Sequence, residues 1–188
     1  MKRIFIAVKI QPEDTLLKMI TSFKSGLKDE KIKWTGSENF HITLAFLGDT
    51  EEEKVEPTGK MLKTVCEECF GFEVVLKGAG IFKNIRDPRV IWTGIEHSDS
   101  LDTLFASVKL GLKAEGIPLE ERTFNPHLTL GRIKSLRDPE SLKALIAEYT
   151  DVVIQKQPVS EVILYESLLY HTGPVYKSLG EFPLAGRL

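Results

Sequence analysis

Apolar and polar residues alternate along the stretch "FHITLAFLG" from Phe40 to Gly48, and again along "PHLTLGR" from Pro126 to Arg132. A period of two is the mark of a half-buried strand. The same alternation, rich in β-branched and aromatic residues, runs through "RIFIAVKI" (3–10), "FEVVLKG" (72–78), "RVIWTGI" (89–95), "DVVIQKQ" (151–157), "SEVILYESLL" (160–169) and "VYKSLGEFPL" (175–184). Helical spacing separates several of these runs. Leu16, Ile20, Phe23 and Leu27 form one stripe after Pro12, and Leu101, Leu104, Phe105, Val108 and Leu112 form another after Ser100. Two further helices are predicted over 51–70 and 139–149, the second opened by Asp138 as N-cap with Pro139 at the first helical position.

These elements repeat. His41 and His127 stand 86 residues apart, and the same offset brings 3–10 onto 89–95, the helix after Pro12 near the helix after Ser100, and the strand-helix succession after one histidine onto that after the other. Agreement of four elements at one spacing points to duplication. The expected fold is α+β: a single two-lobed domain over 1–188, with antiparallel sheets flanked by helices, a pseudo-two-fold axis, and a central groove carrying the two His-x-Thr strands. The repeated units span about 3–78 and 89–157, and C-terminal strands occupy 158–188. Strand order is not readable from the pattern.

Alternation puts His41 and Thr43 on one face of their strand, with Ile42 and Leu44 behind, and treats His127 and Thr129 likewise. If both faces line one groove, two imidazoles oppose each other. Such a pair suits a reaction in which one proton is removed and another delivered, since an imidazole titrates near about 6.5 and either protonation state is within reach at neutral pH. The threonine hydroxyls are placed to donate to phosphate oxygens. Arg132 is an odd number of steps from His127, so a regular strand turns it to the opposite face unless the chain bulges, which the neighbouring Gly131 makes easier. His97 and His171 sit in polar turns and read as loop residues.

Composition narrows the chemistry. Acidic residues number 27 and basic ones 25, so the chain lacks the positive balance of a protein that coats nucleic acid, and any anion must be met locally. Lys31, Lys33, Arg86, Arg89, Arg122 and Arg137 are candidates for a basic rim; Phe5, Trp34 and Trp92 are candidates for base stacking or for the core. Cys66 and Cys69 form a C-x-x-C pair, but they continue an apolar helical stripe with Leu62 and Val65 and have no second pair to complete a zinc site. The run "KGAGIF" reads as a strand irregularity, and Gly59-Lys60 lacks the glycines of a phosphate loop. No apolar run reaches the roughly 20 residues of a membrane span, and the first residues turn polar too soon for a signal peptide. A cytoplasmic monomer is expected.

With these residues in place the sequence resembles the 2H phosphoesterase superfamily and, within it, the bacterial and archaeal RNA 2',3'-cyclic phosphodiesterases, historically called 2'-5' RNA ligases. The resemblance rests on "NFHITLAFLGD", "PHLTLGR", the opening "RIFIAV", "PRVIWTGI" and the closing "LYESLLYHTGPVYKSLGEFPL". It implies that His41 is the general acid, His127 the base, Thr43, Thr129 and Arg132 the phosphate contacts, and that no metal or other cofactor takes part. The implied partner is RNA with a 2',3'-cyclic phosphate end, tRNA fragments among them, or a small cyclic nucleotide. The implied reaction leaves a 2'-phosphate, with 2'-5' joining as its reverse. Three alternatives stay open from the residues: a 2H enzyme for another cyclic or 2'-5' linked nucleotide, a non-catalytic RNA-end binder, and a metal-centred hydrolase, the last disfavoured because no carboxylate stands at ligand spacing from either histidine.

Overall fold

The computed structural model describes residues 1–117, 123–171 and 173–186; Arg122 lies outside them. The elements follow as β1 (Lys2–Lys9), α1 (Asp14–Gly26), β2 (Lys31–Trp34), β3 (His41–Thr50), α2 (Glu52–Glu68), β4 (Phe72–Phe82), β5 (Val90–Ile95), α3 (Asp99–Ala114), β6 (His127–Ser135), α4 (Pro139–Tyr149), β7 (Val153–Val159), β8 (Glu161–Tyr170) and β9 (Gly173–Pro183). The starts of α3 and α4 are set by side chains that satisfy the first free amides. Ser98 Oγ accepts from the Leu101 amide at 3.3 Å, and the Asp138 carboxylate accepts from Glu140 and Ser141 at 3.1 and 3.2 Å. No described helix is long and apolar enough to cross a membrane.

The strands form one antiparallel sheet in the order β7-β4-β5-β6-β3-β1-β8-β9, with β2 beside β6. It is pinched in the middle, where β3 meets β6 through the pair Ile42↔Leu128. On one side of the pinch, β3, β1, β8 and β9 carry α2 and α3; on the other, β6, β5, β4, β7 and β2 carry α1 and α4. These are the two lobes. Ile42 and Leu128 are 86 residues apart and antiparallel to each other, so the pseudo-two-fold passes between them.

The lobes do not coincide with the halves of the chain. β1 belongs to the first lobe, yet α1 crosses to pack on α4 and β7 of the second, while α3 crosses back to α2 and β3. The crossing segment after β1 is held by two buried glutamines of β7. Gln155 accepts from the Glu13 amide at 2.9 Å and donates to the Gln11 carbonyl at 2.8 Å, and Gln157 accepts from the Gln11 amide at 3.0 Å.

One match made from the pattern changes in the sheet. The sequence pairs 72–78 with 151–157 as closing strands of the two units, but β4 lies beside β5 and β8 lies beside β1. β8 therefore holds the place equivalent to β4, and β7, the edge outside β4, matches β9, the edge outside β8. Periodicity identifies a strand and its buried face, not its neighbour. The short strand β2, "KIKW", has no counterpart among the sequence expectations either.

Ile42, Leu44, Leu128 and Leu130 are buried in a core that joins both lobes and receives Leu62, Leu104, Val108 and Leu142 from the helices. Each such side chain contributes about 1.5–3 kcal/mol through burial. Cys66 lies in that core and burial pushes its thiol up to about 12. Together with its position beside Met61 and Leu62 on α2, this makes it a packing residue, as its stripe predicts. Gly78, at φ 72°, sits where the β4–β5 register slips between Lys77 and Ala79, which is the irregularity expected in "KGAGIF".

Candidate active site

His41 and His127 open β3 and β6, and both rings are anchored in the same way. Nδ1 of His41 donates to the carbonyl of Asn39 at 2.6 Å, and Nδ1 of His127 donates to the carbonyl of Asn125 at 2.7 Å. A carbonyl oxygen only accepts, so the hydrogen is on Nδ1 and Nε2 is the basic nitrogen of each neutral ring. Asn39 and Asn125 are themselves 86 residues apart, and the shared N-x-H-x-T pattern was the signal in the sequence that could have found them.

Pairing of Ile42 with Leu128 sets His41 across from Thr129 and Thr43 across from His127. All four residues line one groove of about 380 Å³ between the lobes. Arg132 lines the same groove. Its parity from His127 is overturned by a bulge: Trp92 pairs with Thr129 and Ile91 with Gly131, so Leu130 is skipped. Two successive residues, Leu130 and Gly131, are then buried, and Arg132 returns to the histidine face. β3 slips at the equivalent residue, with Ala7 on Thr43 and Ile6 on Ala45, so Leu44 is skipped and Phe46 returns to that face. Gly131 is needed for a second reason. A Cβ there would lie 2.9 Å from the Trp34 ring and 3.0 Å from Ile32, the β2 side chains packed across it.

Aromatic rings hold the imidazoles. Phe5 lies 5.0 Å from the His41 ring and Tyr176 meets it edge-on at 5.2 Å, while Phe82 meets His127 edge-on at 4.6 Å. Phe5 is thus a buried support and not a stacking platform, and Trp92 packs against Phe82 at 5.5 Å. Trp34 does line the groove. Tyr176 and Phe82 were not anticipated, because they come from strands whose partners the pattern leaves undetermined.

Burial is the main reason both histidines titrate below 6.5; the carbonyls of Asn39 and Asn125 oppose it, and the Arg132 charge adds to it at both rings, as does His127 at His41. Of the expected basic rim, Lys33 lines the groove. Arg89 is paired with Asp87 at 2.9 Å, and Arg137 turns back to the carbonyl of Asp29. His97 is placed between Asp99 and Asp102 at the start of α3, and His171 lies in the turn after β8. Among the described residues no three His, Cys, Asp or Glu side chains cluster to hold a metal ion.

The chain resembles known proteins over nearly its full length. It is 34% identical over 184 residues to a protein of Methanothermobacter thermautotrophicus named RNA 2',3'-cyclic phosphodiesterase, covering 97% of this chain and 98% of that one. A protein of the same name from Aquifex aeolicus is 35% identical over 156 residues, 82% of each chain. The crystal structure of TT0787 of Thermus thermophilus superposes with a TM-score of 0.79 at 26% identity over 98% of both chains. The model of the family described as LigT like phosphoesterase matches residues 8–92 and 95–176, which takes in both His-x-Thr strands. With both halves matched, the chain belongs to the LigT like phosphoesterase family.

Proposed function

We propose that this protein hydrolyses 2',3'-cyclic phosphate ends of RNA to 2'-phosphates, with His41 and His127 as an acid-base pair. The observation that carries the reading is the identical Nδ1–H anchoring of two imidazoles in one groove, which leaves an Nε2 on each to exchange a proton. In-line displacement at phosphorus puts the entering and leaving oxygens on opposite sides, and two opposed bases match that demand. Nε2 of His127 takes a proton from water as its oxygen bonds to phosphorus. The bond to the ribose 3'-oxygen breaks and that oxygen takes the proton from Nε2 of His41, leaving a 3'-hydroxyl and a 2'-phosphate. The bound anion raises the proton affinity of His41 and offsets the burial that depresses it. Thr43, Thr129 and Arg132 hold the non-bridging oxygens, where charge grows in the transition state.

The names of the relatives support RNA as the substrate, and the groove supports it through Trp34 and Lys33, an aromatic face and a cation beside the pair. The same steps with an RNA 5'-hydroxyl in place of water give a 2'-5' linkage. The test is incubation with an oligonucleotide ending in a 2',3'-cyclic phosphate in the presence of EDTA. The expected product carries its phosphate on the 2'-oxygen. A 3'-phosphate product, or activity that requires an added divalent ion, overturns the assignment.

A further inference from the structure

The pseudo-two-fold is broken at one step of the two histidine strands. The bulges at Leu44 and Leu130 bring Phe46 and Arg132 to the same face at equivalent positions, so one lobe presents an aromatic ring where the other presents a cation. Phe46 is 49% exposed, with the Arg3 guanidinium 4.9 Å above its ring. It forms one wall of a second cavity of about 290 Å³, whose other walls are Phe105 of α3 and Phe124, two rings stacked in parallel at 4.0 Å. Thr43 and His127 line this cavity as well as the groove, and Lys109 stands at its edge. The cavity therefore shares Thr43 and His127 with the groove, whereas His41, Trp34 and Tyr176 line the groove and not the cavity.

We infer that this cavity receives the first nucleoside of an RNA 5'-hydroxyl end, the acceptor in 2'-5' joining. The inference rests on the assignment of His127 as base. The entering oxygen arrives on the side of the base, and the nucleotide bearing the cyclic phosphate lies on the opposite side, with the leaving oxygen at His41. In hydrolysis the entering oxygen belongs to water and needs no cavity. When it is a 5'-hydroxyl, its base must go somewhere on the His127 side, and an aromatic cavity flanked by Arg3 and Lys109 offers stacking together with charge for the next phosphate. Cleavage of a 2'-5' linkage is the reverse and fills the same place with the departing nucleoside.

The experiment compares Phe46→Ala, Phe124→Ala and Phe46→Tyr with the parent in three assays: hydrolysis of a cyclic-phosphate oligonucleotide, its joining to a 5'-hydroxyl oligonucleotide, and cleavage of a 2'-5' linked dinucleotide. In the alanine variants the acceptor KM in joining and the KM for the 2'-5' dinucleotide are expected to rise by about 5- to 150-fold, the range of one lost base stack. Hydrolysis by water stays within about threefold, and Phe46→Tyr retains all three activities. Equal damage to hydrolysis and joining, joining indifferent to both alanines, or a parent enzyme that hydrolyses but neither joins nor cleaves 2'-5' bonds overturns the inference. Nuclear magnetic resonance with a 5'-hydroxyl trinucleotide lacking any cyclic phosphate separates this from the proposed reaction. Shifts at Phe46 and Phe124 support the cavity even if hydrolysis fails, whereas hydrolysis without those shifts supports the reaction and refutes the cavity.

Discussion

Leu44 and Leu130 are the same residue met twice: each is the position passed over where its strand slips by one against its neighbour, and each slip returns the second residue after it to the histidine face. In β6 that slip leaves Gly131 under Trp34 with no room for a side chain. Gly131→Ala is expected to push Trp34 off its seat and cost about 1–3 kcal/mol, the ordinary penalty of overpacking. Urea denaturation gives the loss, and a changed tryptophan emission in the folded variant locates it. Unchanged stability would mean that β2 yields without cost.

Replacing either imidazole tests the proposed acid-base pair. His41→Gln and His127→Gln are each expected to lower kcat by about 10²–10⁴-fold while folding is retained, because an amide of similar reach exchanges no proton. Initial rates together with thermal melts check both halves of the expectation. Near-parental rates in either variant exclude that ring from proton transfer.

Stability should depend on pH through the same two rings. Unfolded, they titrate near about 6.5, and folded they titrate lower. As pH falls through 6.5 the unfolded chain binds protons first, so stability declines until the folded rings are protonated too; above 6.5 both states are neutral there and the effect is absent. A His41→Gln/His127→Gln double variant lacks this decline, so its stability relative to the parent should increase from pH 8 to pH 5. Urea melts at the two pH values measure it. Arg132→Gln should raise both ring pKa values, seen in the ring-proton shifts, since the guanidinium charge helps to depress them.

Gln155 ties the segment that crosses between lobes, so Gln155→Leu strands the Glu13 amide and the Gln11 carbonyl. Leaving such groups without partners costs about 1–3 kcal/mol. Hydrogen exchange at Glu13 should quicken more than in the strands beside it, and equal exchange in both would assign the tie no local role.

Much of the site was legible because polar residues kept their spacing in both halves. His41, Thr43, His127 and Thr129 stand out against alternating apolar neighbours, and the stripe through Cys66 identified a packing thiol. Arg132 was harder. A period of two has no way of marking where a bulge falls, and only the successive small or apolar residues in "TLA" and "TLG" hint at it. Tyr176 was beyond reach, since it comes to His41 by way of β9 on β8 and β8 on β1, two pairings that no local pattern encodes. For the same reason β8 was not recognised as the equivalent of β4.

The crossing of α1 and α3 has a consequence for any attempt to divide the gene. A fragment ending after β4 would own β1 and β3 but lack α3 to cover them, and its α1 and β4 would be left without the α4 and β5 they need. Neither fragment could mature by itself, yet each carries the missing piece of the other. Two separately synthesised halves should therefore be inert alone and recover activity only when refolded together.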